Sequence, residues 1–158
     1  MELLQEISAS LQRGDSVKVS ELTKKAIDKK LEPKAVLDQG LIAGMAVIGE
    51  KFKAHEIFLP DVLLAAKAMY TGMDILRPLF IDEEMPSIGK VVIGTVQGDM
   101  HDIGKNLVKM MLEGAGFETV DLGTDVEPQA FVDAVREHQP QMVGMSALLT
   151  TTMVQMGT

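Results

Sequence analysis

Residues 90–108 read "KVVIGTVQGDMHDIGKNLV". Lys90–Val96 is a short apolar run rich in β-branched residues, the composition of a buried strand. It stops at Gly98, and beyond Gly104 the chain takes up helical spacing. Between them stand Asp99, His101 and Asp102. A carboxylate and an imidazole thus sit where a strand gives way to a helix.

The pattern continues downstream. "HDIGKNLVKMMLEGAG" is a helix closed by glycines, "ETVDLG" (118–123) a strand, "EPQAFVDAVREHQ" (127–139) a helix and "QMVGMS" (141–146) a strand. The order β-α-β-α-β with short loops predicts a parallel sheet with helices on its faces. Only three strands fit before Thr158, so the third would be an open edge, which natural sheets tend to avoid. Such an edge implies a piece of a longer protein, a sheet completed by a partner, or self-association through the open edge.

Upstream the chain reads as helices. "LLQEISASLQR" stops at Gly14, a natural helix terminator, and Asp15 and Ser16 can cap a second helix carrying Val17, Val19, Leu22, Ala26 and Ile27. Pro33 suits the first turn of a third helix running to about Phe52, and Pro60 that of a fourth, ending near Pro78. Four helices with short links and one apolar face each predict a small antiparallel bundle. The fold class is therefore α + α/β: a helical bundle over 1–80, a polar linker over 81–89 and an α/β domain over 90–158.

Composition bounds the function. The chain has 158 residues, 46% of them apolar, and a formal net charge of -8. That charge argues against a nucleic-acid surface, which needs clustered Lys and Arg. There is no cysteine, hence no disulfide framework and no thiolate metal site. No run reaches the roughly 18 apolar residues of a membrane helix. "MELLQEISASLQRG" lacks the basic start of a signal peptide. A soluble, cytoplasmic protein without nucleic-acid or membrane partners is expected.

In open α/β sheets ligands bind beyond the carboxyl ends of the strands, where Asp99 and His101 stand. In an extended segment residues i and i+2 share a side. A carboxylate on one ring nitrogen fixes the tautomer and frees the other nitrogen as ligand or base. Gly98 and Gly104 flank the pair and would let a bulky ligand approach. "GDMHDIGK" is a poor phosphate loop: it has one residue too many between its glycines, Asn106 replaces the Ser/Thr, and two Asp repel phosphate. A zinc site needs three or four convergent ligands, and His55 and His138 belong to other elements. A phosphoacceptor receiver would carry Asp where Ser146 stands. A lone histidine in a polar loop is by default a surface residue.

"DMHDIG" matches the D-x-H-x-x-G pattern of cobalamin-binding modules. "SALLTT", from Ser146, resembles the S-x-L motif after their third strand. "GEKFKAHEIFLPDVLLAAKAM" resembles the cap domain before them in methionine synthase and in corrinoid proteins of methyltransferase systems. The resemblance covers the whole chain in the right order and implies a flavodoxin-like cobalamin domain behind a four-helix cap. It makes His101 the lower axial cobalt ligand in place of the cofactor's own benzimidazole, and Asp99 the carboxylate bonded to it. Thr152 falls where methionine synthase ends that relay with a serine. Gly98, Met100, Asp102, Ile103 and Gly104 complete the cofactor loop. Ser146, Leu148 and Thr150 fall at the pocket for the displaced nucleotide tail. Phe52, Leu59 and Val62 match apolar residues over the cobalt's upper face, although bundle core explains that spacing equally. A Gly-Gly motif that follows a fourth strand in the family is not in this sequence.

The resemblance implies a methyl carrier working as cob(I)alamin and methylcobalamin, not catalytic alone. Its implied partners are a substrate-specific methyltransferase, an acceptor methyltransferase using a thiol or tetrahydrofolate, and a reductive activase. The alternatives are a cobalamin-dependent sensor module, a fragment of a methionine synthase, and a mutase-type cobalamin domain, which would not normally carry the Phe/Leu cap. Methanol, methylamines, glycine betaine and methoxylated aromatics stay open as methyl donors.

Overall fold

A computed structural model of the protein describes residues 2–80 and 86–158. Residues 81–85, most of the expected linker, lie outside the described residues. The chain divides into two compact units, 1–86 and 87–158.

The first unit is helical. In α1 (Glu2–Gln12) Leu4, Ile7 and Leu11 are buried, one stripe at helical spacing. The chain leaves α1 through Gly14, where φ is +69° and a Cβ would fall 2.6 Å from Leu64 Cβ, so no side chain has room. Asp15 caps α2 (Ser16–Asp28) by accepting from the Lys18 N–H at 2.9 Å. The expected third helix keeps its extent but not its uniformity. It runs as α3 (Pro33–Ala35), a π-helical stretch (Val36–Ile42) and α4 (Ala43–Lys53). The wide turn carries Val36, Leu37, Gly40 and Leu41 into the core, with Gly40 against Ile7. The fourth, α5 (Leu59–Leu76), is opened by Asp61 accepting from the Phe58 N–H at 2.9 Å and packs along α2.

The second unit is the predicted β-α-β-α-β. Strands β1 (Lys90–Thr95), β2 (Glu118–Asp121) and β3 (Met142–Ser146) form a parallel sheet in the order β2-β1-β3. Val92 pairs with Val120 on one side and Val143 on the other. Helices α6 (Ile103–Gly114) and α7 (Pro128–His138) make the crossovers. The first crossover steps from β1 out to β2 and the second steps back past β1 to β3, so with opposite directions their right-handedness puts α6 and α7 on opposite faces. With both faces and both edges covered, β1 is buried from Val91 onward, which is why it reads as a continuous apolar run. On the α7 face Val92, Val126, Phe131 and Ala134 form a core cluster. Met142, Val143 and Met145 of β3 are exposed, and among the described residues β3 pairs only with β1. The chain then turns through α8 (Thr150–Met153) and a short 3-10 stretch.

Candidate functional site: a histidine held by a buried carboxylate

The site lies at the carboxyl edge of the sheet. After Val96 the chain reverses at Gly98, φ +81°, a conformation suited to glycine. The expected extended geometry at 99–101 is not what joins the pair. Asp99 points inward and is 1% exposed, while the His101 side chain is 52% exposed. Asp99 Oδ1 accepts both the His101 backbone N–H at 3.0 Å and the ring Nδ1–H at 2.7 Å. An Asp bonding to the N–H two residues on makes a tight side-chain turn, so the carboxylate folds the loop as well as holding the ring.

The second oxygen of Asp99 is equally engaged. Oδ2 accepts the Thr152 hydroxyl at 2.6 Å and the backbone N–H groups of Leu148 and Leu149 at 2.9 and 3.3 Å. The Thr152 hydroxyl also lies 3.0 Å from the Leu149 carbonyl. It has one hydrogen, which it donates to the ionised carboxylate as a hydrogen bond. The Thr152 hydroxyl first, then the His101 backbone N–H, hold the Asp99 carboxyl well below the usual carboxylate range against the opposing effect of burial. An ionised Asp99 fixes the proton on Nδ1 and leaves the Nε2 lone pair outward.

The other expected residues separate. Ser146 ends β3, where its carbonyl accepts the Val96 N–H at 3.0 Å. Leu148 reaches the site through its backbone and points an exposed side chain outward, while Thr150 is exposed in the first turn of α8. Asp102 accepts from the Asn106 amide at 3.1 Å. Phe52, Leu59 and Val62 belong to the helical unit. There Val62 is 2% exposed within the bundle core, Leu59 is half-buried and Phe52 is exposed. Core packing accounts for Val62 without a ligand.

Two supports were not foreseen. Buried Thr95 donates its hydroxyl to the His101 carbonyl at 3.0 Å. Asp125, φ +55°, accepts the Gly98 N–H at 2.7 Å and donates its own N–H to the Asp99 carbonyl at 3.0 Å. A threonine within an apolar strand was a visible signal, but nothing in "GTDVEP" pairs Asp125 with a glycine 27 positions earlier.

The residues fit a corrinoid. No cluster of three His, Asp or Glu able to hold a metal ion occurs among the described residues. One outward imidazole suits a metal that arrives with its own equatorial ligands. Around it Met100, Ile103 and Leu148 expose apolar side chains. A side chain at Gly104 or Gly123 would meet no atom within 4 Å, so both stand at open space.

The sequence matches B12 binding domain families over residues 3–77 and 89–158. It is 43% identical over 158 residues to a corrinoid protein of Desulfitobacterium hafniense, covering 98% of this chain and 73% of that one. Trimethylamine corrinoid protein 1 of Methanosarcina acetivorans is 44% identical over 142 residues, covering 89% of this chain and 66% of that one. A crystal structure of the methanol:cobalamin methyltransferase complex of Methanosarcina barkeri contains a similar chain, with a TM-score of 0.92 at 34% identity. That match covers 99% of this chain and 60% of the other, so this sequence spans about three fifths of that chain's length. Two B12-binding halves in this order define a cobalamin-binding protein. Within that class the chain belongs to the corrinoid proteins of methyltransferase systems, whose cofactor is cobalamin.

Proposed function

We propose that the chain is a methyl carrier that takes cobalamin with the cofactor's own base displaced and His101 Nε2 as lower axial ligand. The observation that carries this reading is the saturated, buried Asp99, which holds Nδ1 at 2.7 Å and turns Nε2 outward. Bound cobalamin supplies a cobalt centre that accepts a methyl group and passes it on. The chain's own residues govern the imidazole. Asp99 keeps the proton at Nδ1 and so raises the donor strength of Nε2. The ionised Asp99 would also stabilise positive charge on the ring. Thr152 and the Leu148 N–H keep Asp99 ionised throughout. Phe52, exposed, and Leu59, half-buried in the helical unit, are the apolar residues we assign to shielding the cofactor.

The partners are a methyltransferase that loads the carrier and a second that unloads it onto a thiol or tetrahydrofolate, with a reductive activase to recover oxidised cofactor. The relatives' names, trimethylamine, dimethylamine and methanol, favour a methylamine or methanol as donor. The test is reconstitution with cobalamin followed by electron paramagnetic resonance of the cobalt(II) form. Native protein should show hyperfine splitting from one protein nitrogen, and His101→Ala should lose it. Splitting that persists in His101→Ala, or is missing in the native protein, overturns the assignment.

A further inference from the structure

Lys105 is the second feature of this loop that composition does not explain. It lies in the first turn of α6, yet its side chain is only 2% exposed. Its ammonium has three hydrogens and three acceptors: Asp121 Oδ1 at 2.7 Å, Asp121 Oδ2 at 2.8 Å and Asn106 Oδ1 at 2.8 Å. Lys105 is buried while the Asp121 side chain keeps 22% of its exposure, and taking the ammonium out of water offsets much of the attraction, so the pair is a poor source of stability. What such a pair gives is geometry.

Two arms leave Lys105 and meet again. One runs through Asp121 at the end of β2. Asp121 Oδ1 accepts the Gly123 N–H at 3.0 Å, the Gly123 carbonyl accepts the Thr95 N–H at 2.9 Å, and the Thr95 hydroxyl donates to the His101 carbonyl at 3.0 Å. The other runs through Asn106, whose amide donates to Asp102 Oδ2 at 3.1 Å while its backbone N–H donates to the Asp102 carbonyl at 2.8 Å. The first arm ends on the His101 carbonyl and the second on the carboxylate and carbonyl of Asp102, so the two hold adjacent residues of one segment, His101–Asp102. Asp99 fixes the ring, and these arms fix the backbone from which the ring hangs.

We infer that Lys105 and Asp121 are positioning residues that clamp the His101–Asp102 peptide and thereby set how readily His101 ligates the cofactor. This rests on the reading of His101 as axial ligand. Without the clamp the peptide can rotate, and the imidazole must be ordered anew each time it binds. Outer contacts of this kind are worth about 10–100-fold in metal affinity or activity where they have been removed from other sites.

The test uses Lys105→Met, which keeps the apolar stem, Asp121→Asn, which keeps the shape should the first variant fold poorly, and the double variant. Without cofactor, nuclear magnetic resonance follows solvent exchange of the His101 Nδ1 proton. With cobalamin, absorption at fixed pH gives the histidine-ligated fraction. Each single variant should exchange that proton about tenfold faster and lower the ligation constant by a similar factor, and the double variant should be no worse than either, because one clamp is lost only once. A lowered melting temperature with native exchange and native ligation would make the pair merely structural and overturn the inference. His101→Ala serves as the separate control. If it leaves the cofactor spectrum native, the axial-ligand reading has failed; if it changes the spectrum while the clamp variants do not, only the clamp has failed.

Discussion

Asp99 meets five hydrogen-bond donors with two oxygens: three backbone N–H groups, one hydroxyl and the His101 ring. The carboxylate is thus kept ionised largely by donated hydrogen bonds, foremost that of Thr152. Replacing Thr152 with Val should move the Asp99 titration up toward its usual range, and Thr152→Ser should leave it in place, as read by carbon nuclear magnetic resonance of the carboxyl. An unmoved titration in the valine variant would remove Thr152 from the relay. The sign of the pH dependence follows from the same shift. Asp99 titrates lower in the folded than in the unfolded chain, so the unfolded chain binds more protons in acid. The stability it contributes is complete above the unfolded value of about 4 and is lost as pH falls through the lower folded value. Asp99→Asn removes this titration. Urea unfolding from neutral pH down to about pH 2 should then show a shallower acid limb than native. Asp121, raised by burial but lowered more by Lys105, the Gly123 N–H and Lys109, leaves some slope in the variant. Equal slopes in both proteins would contradict this.

At the scale of elements, what could be read from the sequence was what local chemistry decides. Asp15, Pro33 and Pro60 open helices because each satisfies or removes a donor that the first turn leaves free. The run Val91–Val96 announced a central strand because every position of it meets a neighbour. The Asp99–His101 pair was visible at its spacing, but its turn was not, since period-2 logic applies to strands and β1 has ended before it. The π-helical stretch keeps an apolar pattern close to that of an α-helix, so periodicity passed over it. Lys105–Asp121 spans 16 positions and Asp99–Thr152 spans 53, and hydrogen bonds of that range leave no local trace. The Thr152 role came from resemblance, and Thr95, Asp125 and Lys105 came only from the structure. Gly94 tests the packing of these elements. A Cβ there would lie 2.9 Å from Phe131 Cζ, so Gly94→Ala must displace a ring that anchors α7 on the sheet. The cost should be about 1–3 kcal/mol, the usual range for overpacking. Urea unfolding should show a lower midpoint at unchanged slope, and a midpoint equal to native would mean that the ring yields freely.

At the scale of the molecule the two units are unequally built. The helical unit buries Ile7, Leu11, Val36, Leu41, Ile48 and Leu76 to 2% exposure or less, on helices that share one interior. The α/β unit concentrates its burial on β1. Val143 and Met145 stand exposed beside a cavity of about 380 Å³ lined also by Phe131 and Met156. Apolar area removed from water is worth roughly 25 cal/mol per Å², so the unit with the open face should be the weaker one. Separate cores in one chain also break two-state behaviour. Calorimetry should therefore show two transitions. Hydrogen exchange should assign the lower one to residues 90–152 and the higher to residues 2–76. Cobalamin tests the link to function, because a ligand bound through His101 stabilises the folded α/β unit by mass action, by about 2.7 kcal/mol at one hundred times its dissociation constant. The lower transition should rise on adding cofactor and should rise less in His101→Ala at equal concentration. Should the helical unit instead open first, or the lower transition stay put with cofactor present, the exposed face of the α/β unit would not be its weak point and the imidazole would not be where binding energy enters.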